Sequence, residues 1–210
     1  MTPMKIAILF NGPKYCGKDT AAAALTKAFG EDSAVFRFTV PVKEETHRRY
    51  GLTVPFDRYE DRTIKDTPLP EFGGLSPRQA YIQVGDSLRA EFGPDVVTDM
   101  LCERIRNSRV SIVINPDCGG NGEAEGIVDE LGYEQVIVFR IHKDGCDYAG
   151  DCRDWVTSDK VRKIDIVNVD GQVADYVSTV VQISEMFRAS VFGHTSPIVG
   201  EFREKVRRFG

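Results

Sequence analysis

A lysine that closes a glycine-framed turn, followed at once by a carboxylate, is the grouping in this chain best suited to holding phosphate. It lies in Gly12-Pro13-Lys14-Tyr15-Cys16-Gly17-Lys18-Asp19-Thr20, after an apolar run at residues 6–10 and before an alanine-rich stretch at 21–28. Strand, glycine loop and helix in that order make a phosphate cradle. Gly12 and Gly17 let successive backbone N–H groups turn inward on an anion. A helix starting near Lys18 adds its unpaired N–H groups and its positive dipole end. Lys18 is placed to reach the β- and γ-phosphates of a nucleotide. Asp19 stands where a magnesium-binding hydroxyl is usual, and a carboxylate is itself a hard oxygen ligand. Gly12, Lys14, Cys16, Gly17, Lys18, Asp19 and Thr20 are therefore the expected nucleotide contacts.

Other groupings admit two readings each. Asp117 ends the apolar run 110–114 through Asn115-Pro116, where an acid can hold Mg²⁺ or act as a turn cap. Gln83, Asp86 and Arg89 fall on one side of a predicted helix with Arg78 a turn below. Two guanidiniums suit a phosphorylated acceptor, and equally a solvated, salt-bridged face. Asp151, Arg153, Asp154, Lys160, Arg162 and Lys163 occupy a polar excursion, either a phosphoryl-transfer lid or a charged loop. Asn168 and Asp170 sit in a turn after the last strand. His142, Cys146 and Cys152 have ligand-type side chains but no paired Cys-x-x-Cys and no evident fourth ligand, so zinc is not expected.

The elements that must carry these residues alternate. Strands are predicted at 4–10, 35–38, 110–114, 135–141 and 164–169. Helices are predicted at 18–29, 76–92, 95–107, 123–131 and 173–187, with another entered near Pro41. Strands this apolar imply a parallel sheet covered on both faces, with ligands at its carboxyl edge. Residues 53–75, broken by Pro55, Pro68, Pro70, Gly73 and Gly74, read as too polar for core. Residues 143–160 read as a surface excursion, and 189–210 as a tail whose Arg203–Arg208 cluster reads as a solvated helix end.

Bulk properties narrow the class. The 210 residues are 41% hydrophobic and 28% charged, with a net charge of −5 that does not favour a large nucleic-acid footprint. Five cysteines at irregular spacing suit free thiols in a reducing compartment. No apolar run approaches membrane-spanning length and no signal peptide is read at the start, so the cytoplasm is expected.

Taken in order, these motifs resemble the bacteriophage deoxynucleoside monophosphate kinases, a branch of the P-loop nucleotide kinases. The resemblance rests on the loop 12–20, Pro41-x-Lys43-Glu44, Leu75-Ser76-Pro77-Arg78, Gln83-x-Gly85-Asp86-x-x-Arg89, Pro116-Asp117 with Glu123-Ala124, and Asn168-x-Asp170-Gly171. It extends to about residue 187. Phosphomevalonate kinase shares the Gly-Lys-Asp loop, but its other motifs are not recognised here. One position departs from the pattern. An arginine usual two residues after the Pro-Asp aspartate is Gly119 here, so another cation substitutes or the acceptor differs.

The resemblance implies an α/β chain with a three-layer P-loop kinase fold. It implies a kinase domain at 1–188 with an acceptor-binding insert at about 41–108, a lid at about 143–163, and a tail at 189–210. It implies Mg-ATP as donor and a deoxynucleoside monophosphate as acceptor. Lys18, Asp117 and Arg153 would be catalytic, and Asp19 and Asp117 would hold Mg²⁺. Asn168 and Asp170 would lie by the nucleotide, and Lys43, Arg78, Gln83, Asp86 and Arg89 by the acceptor. The alternative is a phage DNA-modifying kinase acting on a hydroxymethyl group of a pyrimidine in DNA, of the 5-hydroxymethyluracil type. A P-loop binding protein without turnover is a third reading. Expected partners are a nucleotide or modified DNA and a second copy as homodimer, with no membrane. If the chain is phage-encoded, its cytoplasm is that of the host.

Overall fold

Six consecutive buried residues, Ile6–Asn11, form β1, which the sequence makes apolar on both faces because both are covered. The computed structural model describes residues 4–61, 63–151 and 153–193. The other strands are β2 (Ser33–Val35), β3 (Ile112–Asn115), β4 (Val136–His142) and β5 (Lys163–Val167). All pair in parallel in the order β2-β3-β1-β4-β5. Ile6 faces Ile112 across one side of β1, and Ala7 faces Val136 across the other. The helices are α1 (Lys18–Phe29), α2 (Thr39–Tyr50), α3 (Pro77–Phe92), α4 (Val96–Asn107), α5 (Asn121–Leu131) and α6 (Val173–Phe192).

The chain divides into two compact units, one of residues up to Phe36 with those from Ile105 onward, the other Arg37–Arg104. In the first, Ile6, Ile8 and Phe10 project to one face and join Ala21, Leu25 and Phe29 of α1 with Tyr176, Val180 and Phe187 of α6. Phe10 and Phe139 stack with centroids 5.6 Å apart. Residues Ala7 and Leu9 point to the opposite face, where α5 contacts β1 and β4. This is the three-layer, all-parallel α/β arrangement expected, and it is consistent with a P-loop kinase-like fold. Since the sheet is parallel, the segments after β1, β3 and β4 emerge side by side at one edge, where β1 is the central strand.

Boundaries moved for local reasons. Where a strand was expected at 35–38, β2 ends at Val35 and α2 begins at Thr39; Pro41 falls in the first turn of α2, where its missing N–H costs nothing. Ser76 caps α3 as expected, in a reciprocal pair with Gln79, and Pro77 opens the helix. Helix α6 runs on to Phe192, past the predicted end at 187, and Gly193 stops it in the left-handed conformation. Residues 194–210, with the basic cluster, lie outside the described residues, as does Cys152.

The second unit corrects one expectation outright. Residues 53–75 are not excluded from core: Phe72 is fully buried and Tyr59 nearly so, packed with Ala80 and Tyr81 of α3. Two short 3-10 turns, Phe56–Glu60 and Pro70–Phe72, bring the rings inward while Asp57, Arg58 and Glu71 stay outside. Residue counts by polarity missed this because a few aromatics suffice for a small core. His47 of α2 is buried among Phe56, Tyr59, Phe72 and Tyr81. Its Nδ1 lies 3.0 Å from the Val54 carbonyl, which can only accept, so that nitrogen carries the proton; Nε2, 3.2 Å from the Tyr81 hydroxyl, accepts.

Two outcomes follow for this unit. Phe72→Ala lowers stability by about 3–5 kcal/mol in urea unfolding followed by circular dichroism. Burial, the main cause, holds the His47 pKa below its ordinary value despite the opposing bond to Val54. The unfolded chain therefore binds this proton more readily. The stability that the neutral ring contributes is complete above about pH 6.5 and is lost as pH falls through the folded-state pKa. An NMR titration of the ring should give a midpoint below that of a model histidine; a midpoint at or above it contradicts the reading.

Candidate active site

Gly12 follows β1 directly, and a Cβ there would meet Cys16 Sγ and the Ile141 carbonyl, each at 2.7 Å. Gly17 has φ of 106° just before α1, and a Cβ there would meet Asn168 Nδ2 at 2.5 Å. Both glycines are thus required by contact, and Gly17 by conformation as well. Tyr15, at φ 66° and exposed, is the non-glycine residue held left-handed in this loop. Two side chains brace the loop from behind. Asn168 Nδ2 donates to the Cys16 carbonyl at 2.8 Å, and the Tyr176 hydroxyl donates to the Gly17 carbonyl at 3.1 Å.

Lys18 is buried and turned back into the loop, donating to the carbonyls of Gly12 at 2.6 Å and Pro13 at 2.5 Å. Its Nζ also lies 3.7 Å from Cys16 Sγ. Burial lowers its pKa, and the nearby Arg153 charge lowers it further. An anion within the loop would relieve both effects. The neighbouring Cys16 thiol is pushed up by its own burial. Lys14, Asp19 and Thr20 are exposed at the mouth of the loop and in the first turn of α1.

Asp117 follows β3, as expected. Asn115 Nδ2 donates to its Oδ1 at 3.1 Å, and its own N–H donates to Asn115 Oδ1 at the same distance. Asp19 and Asp117 are the hard oxygen donors these segments offer, and two carboxylates with substrate phosphates are the usual Mg²⁺ set. The residues present fit that ion.

The segment after β4 is exposed or half-buried along most of its described length, as a surface excursion would be, but it is tied to the sheet at one point. Val156 is fully buried. Asn11, the last residue of β1 and also fully buried, donates to the carbonyls of Cys118 and Asp154 at 3.0 Å and accepts from the Val156 N–H at 3.0 Å. One side chain therefore joins the loops after β1, β3 and β4. Arg153 is gripped by Asp151, Nε to Oδ1 at 3.0 Å and Nη2 to Oδ2 at 2.5 Å. That pairing, with the Arg153 N–H, holds the Asp151 carboxyl down to about 2 against the opposing effect of burial, and Lys14 adds a smaller pull. The Trp155 ring stacks on His142 at 4.4 Å and meets Tyr148 edge-on at 5.2 Å.

The remaining expected residues fall in two places. Asn168 serves the loop from behind, and Asp170 is exposed and paired with Lys143 at 2.7 Å. Lys43, Arg78, Gln83, Asp86 and Arg89 belong to the second unit. There Lys43 is buried against Glu60 at 2.7 Å, with its ammonium over the rings of Phe56 and Tyr81. Arg78 pairs with Asp66, and Arg89 with Asp86. Gln83, Asp86 and Arg89 are exposed on α3. Asn11, Asn115, Asp151 and Tyr176 were not singled out for these roles by the sequence. Asn11 left a trace as a polar residue ending an apolar strand beside the loop, and Asn115 and Asp151 stand in segments already named, without these roles.

Replacing Asn11 by alanine orphans the buried Cys118 carbonyl and Val156 N–H and the part-buried Asp154 carbonyl. It should cost about 3 kcal/mol in urea unfolding. The emission of Trp155, the single tryptophan, should shift before the global transition as its segment loosens.

No family model matches the chain. Over 138 residues it is 25% identical to a phosphomevalonate kinase of Drosophila melanogaster, a match covering 66% of this chain and 67% of the relative. The likeness thus extends well past the Gly-Lys-Asp loop, correcting the expectation that the two share little else. It is the likeness of a distant kinase relative. It supports a nucleotide-kinase-like family and does not single out the phage deoxynucleoside monophosphate kinases.

Proposed function

We propose that this chain is a P-loop phosphotransferase that moves the γ-phosphate of Mg-ATP onto a small phosphorylated acceptor. The deoxynucleoside 5′-monophosphates, giving diphosphates, are the first class to test. One observation carries the reading: a loop whose glycines admit no Cβ holds a buried lysine against its own carbonyls. A phosphate chain in the loop would offer that ammonium a full negative charge in place of two dipoles. Lys18 then neutralises charge on the β- and γ-oxygens, and the N–H groups at the start of α1 orient them. Asp19 and Asp117 would hold Mg²⁺, which when bound supplies charge neutralisation across the phosphates. Arg153 approaches the transferring group from the segment after β4. Lys43, Arg78, Gln83, Asp86 and Arg89 are the proposed acceptor contacts. No covalent enzyme intermediate is needed, since positioning and electrostatics suffice for phosphoryl transfer.

A second acceptor is favoured by the similarity to a phosphomevalonate kinase. In both cases a phosphate monoester is the nucleophile and a phosphoanhydride forms, so the loop chemistry is common to the two.

The test is ADP release with each dNMP, with 5-phosphomevalonate, and with DNA containing 5-hydroxymethyluracil. Turnover with one monoester class assigns the acceptor; turnover with the DNA alone rejects the small-molecule reading. Lys18→Ala should lower transfer by more than about 10²-fold while its circular dichroism stays that of the parent. Near-parental turnover in that variant would remove Lys18 from the mechanism.

A further inference from the structure

Gly119 is not in the left-handed region, so its backbone does not require glycine. What it lacks is room. A Cβ there would lie 2.9 Å from Arg153 Cγ, 3.2 Å from Arg153 Cδ and 3.3 Å from Glu123 Oε2. The two nearest atoms belong to the stem of the arginine, which cannot swing aside as a side-chain tip can. The backbone on both sides is pinned. Gly119 N–H donates to Glu123 Oε2 at 2.6 Å, and its carbonyl accepts from the Asp154 N–H at 2.9 Å. Asn11 holds the Cys118 and Asp154 carbonyls at the same junction. The bare glycine is thus a seat on which the methylenes of Arg153 lie, with Asp151 fixing the guanidinium above it. The arginine's charge is felt at Lys18, and the charge of Lys14 at Asp151.

We infer that Gly119 and Asp151 are positioning residues for Arg153, so that the cation facing the transferring phosphate comes from the segment after β4 and rests on the one after β3. This deepens the phosphotransfer reading and rests on it. Any side chain at 119 would compete with Arg153 for one space, and the site therefore holds one cation there. Asp151 keeps the guanidinium in a fixed fork in the resting protein. Exchanging that carboxylate for nucleotide phosphate swaps one anion for another, so Arg153 gains little from ATP alone. Its advantage appears when charge on the transferring group grows.

The experiment is a double-mutant cycle on the full chain: parent, Gly119→Ala, Arg153→Ala and the double variant. The readouts are kcat with whichever acceptor the ADP-release assay shows to be turned over, and MgATP affinity by calorimetry. Each single variant should lose about 10²-fold in kcat and less than about threefold in MgATP affinity. The double variant should be no worse than Arg153→Ala, because Gly119 acts through that arginine. Asp151→Asn should lower kcat and tighten MgATP binding by about threefold or more, because the guanidinium then has no carboxylate to give up. Gly119→Ala with parental kcat, or losses that multiply in the double variant, overturns the inference while leaving the phosphotransfer reading intact. A parent chain that binds no MgATP overturns both. Thermal melting of all four proteins separates misfolding from misplacement: a crystal structure of a folded Gly119→Ala showing Arg153 still seated would also sink the proposal.

Discussion

The close packing of neighbouring atoms against the bare backbone at Gly12 and Gly17 is the constraint on which the rest of the site depends. A cradle for phosphate must present N–H groups without side chains between them and the anion. Here that openness is imposed by packing: Ile141 and Cys16 stand against Gly12, and Asn168 and Tyr176 against Gly17. The loop cannot relax outward, because β1 behind it is buried along its whole length and paired on both sides. Nor can it collapse, because Lys18 fills it. An interior of parallel strands thus becomes a fixed, electropositive rim at its carboxyl edge.

That rim is coordinated by amides more than by charges. Asn11 and Asn115 end adjacent strands, β1 and β3, and each spends its side chain on neighbouring segments: Asn11 on Cys118, Asp154 and Val156, Asn115 on Phe36 and Asp117. Asn168 does the same just after β5. A neutral amide can donate and accept in one place, so it ties loops together without adding a charge that would compete with phosphate. Buried and fully satisfied, such groups favour one arrangement of the three loops over others.

The parts of this chain that were legible in sequence are those with a local signature. The phosphate loop, the Ser76-Pro77 helix start, the parallel α/β class and the acid after β3 each come from a few adjacent residues whose types dictate their geometry. What stayed hidden is non-local. Tyr176 bonds Gly17 from far along the chain, and nothing near it marks it out. Phe72 looked like loop because its partners, Tyr59 and Tyr81, approach only after the intervening prolines and glycines have turned the chain. Gly119 was legible as an anomaly but not as a seat. A missing side chain shows in sequence, whereas the side chain that fills its place does not.

The electrostatics of the rim explain why three of its cations are partnered in the resting protein, and why the partners differ. Lys18 is held by carbonyl dipoles, Arg153 by a carboxylate, and Lys143 by the exposed Asp170. A buried ammonium without acceptors would lose its proton or destabilise the fold, so dipoles are the least it can have. They are also the weakest competitors an incoming phosphate could meet, so under the proposed reading Lys18 would contribute to nucleotide affinity. A guanidinium locked to a carboxylate is the opposite case: one full charge must be exchanged for another, and the ground state gains little. In the proposed reaction the exchange would be tipped by the charge that develops in the transition state. If the chain is the proposed phosphotransferase, this edge of the sheet gives its two cations different resting partners: Lys18 has dipoles that an incoming phosphate displaces easily, and Arg153 a carboxylate that yields only as charge develops.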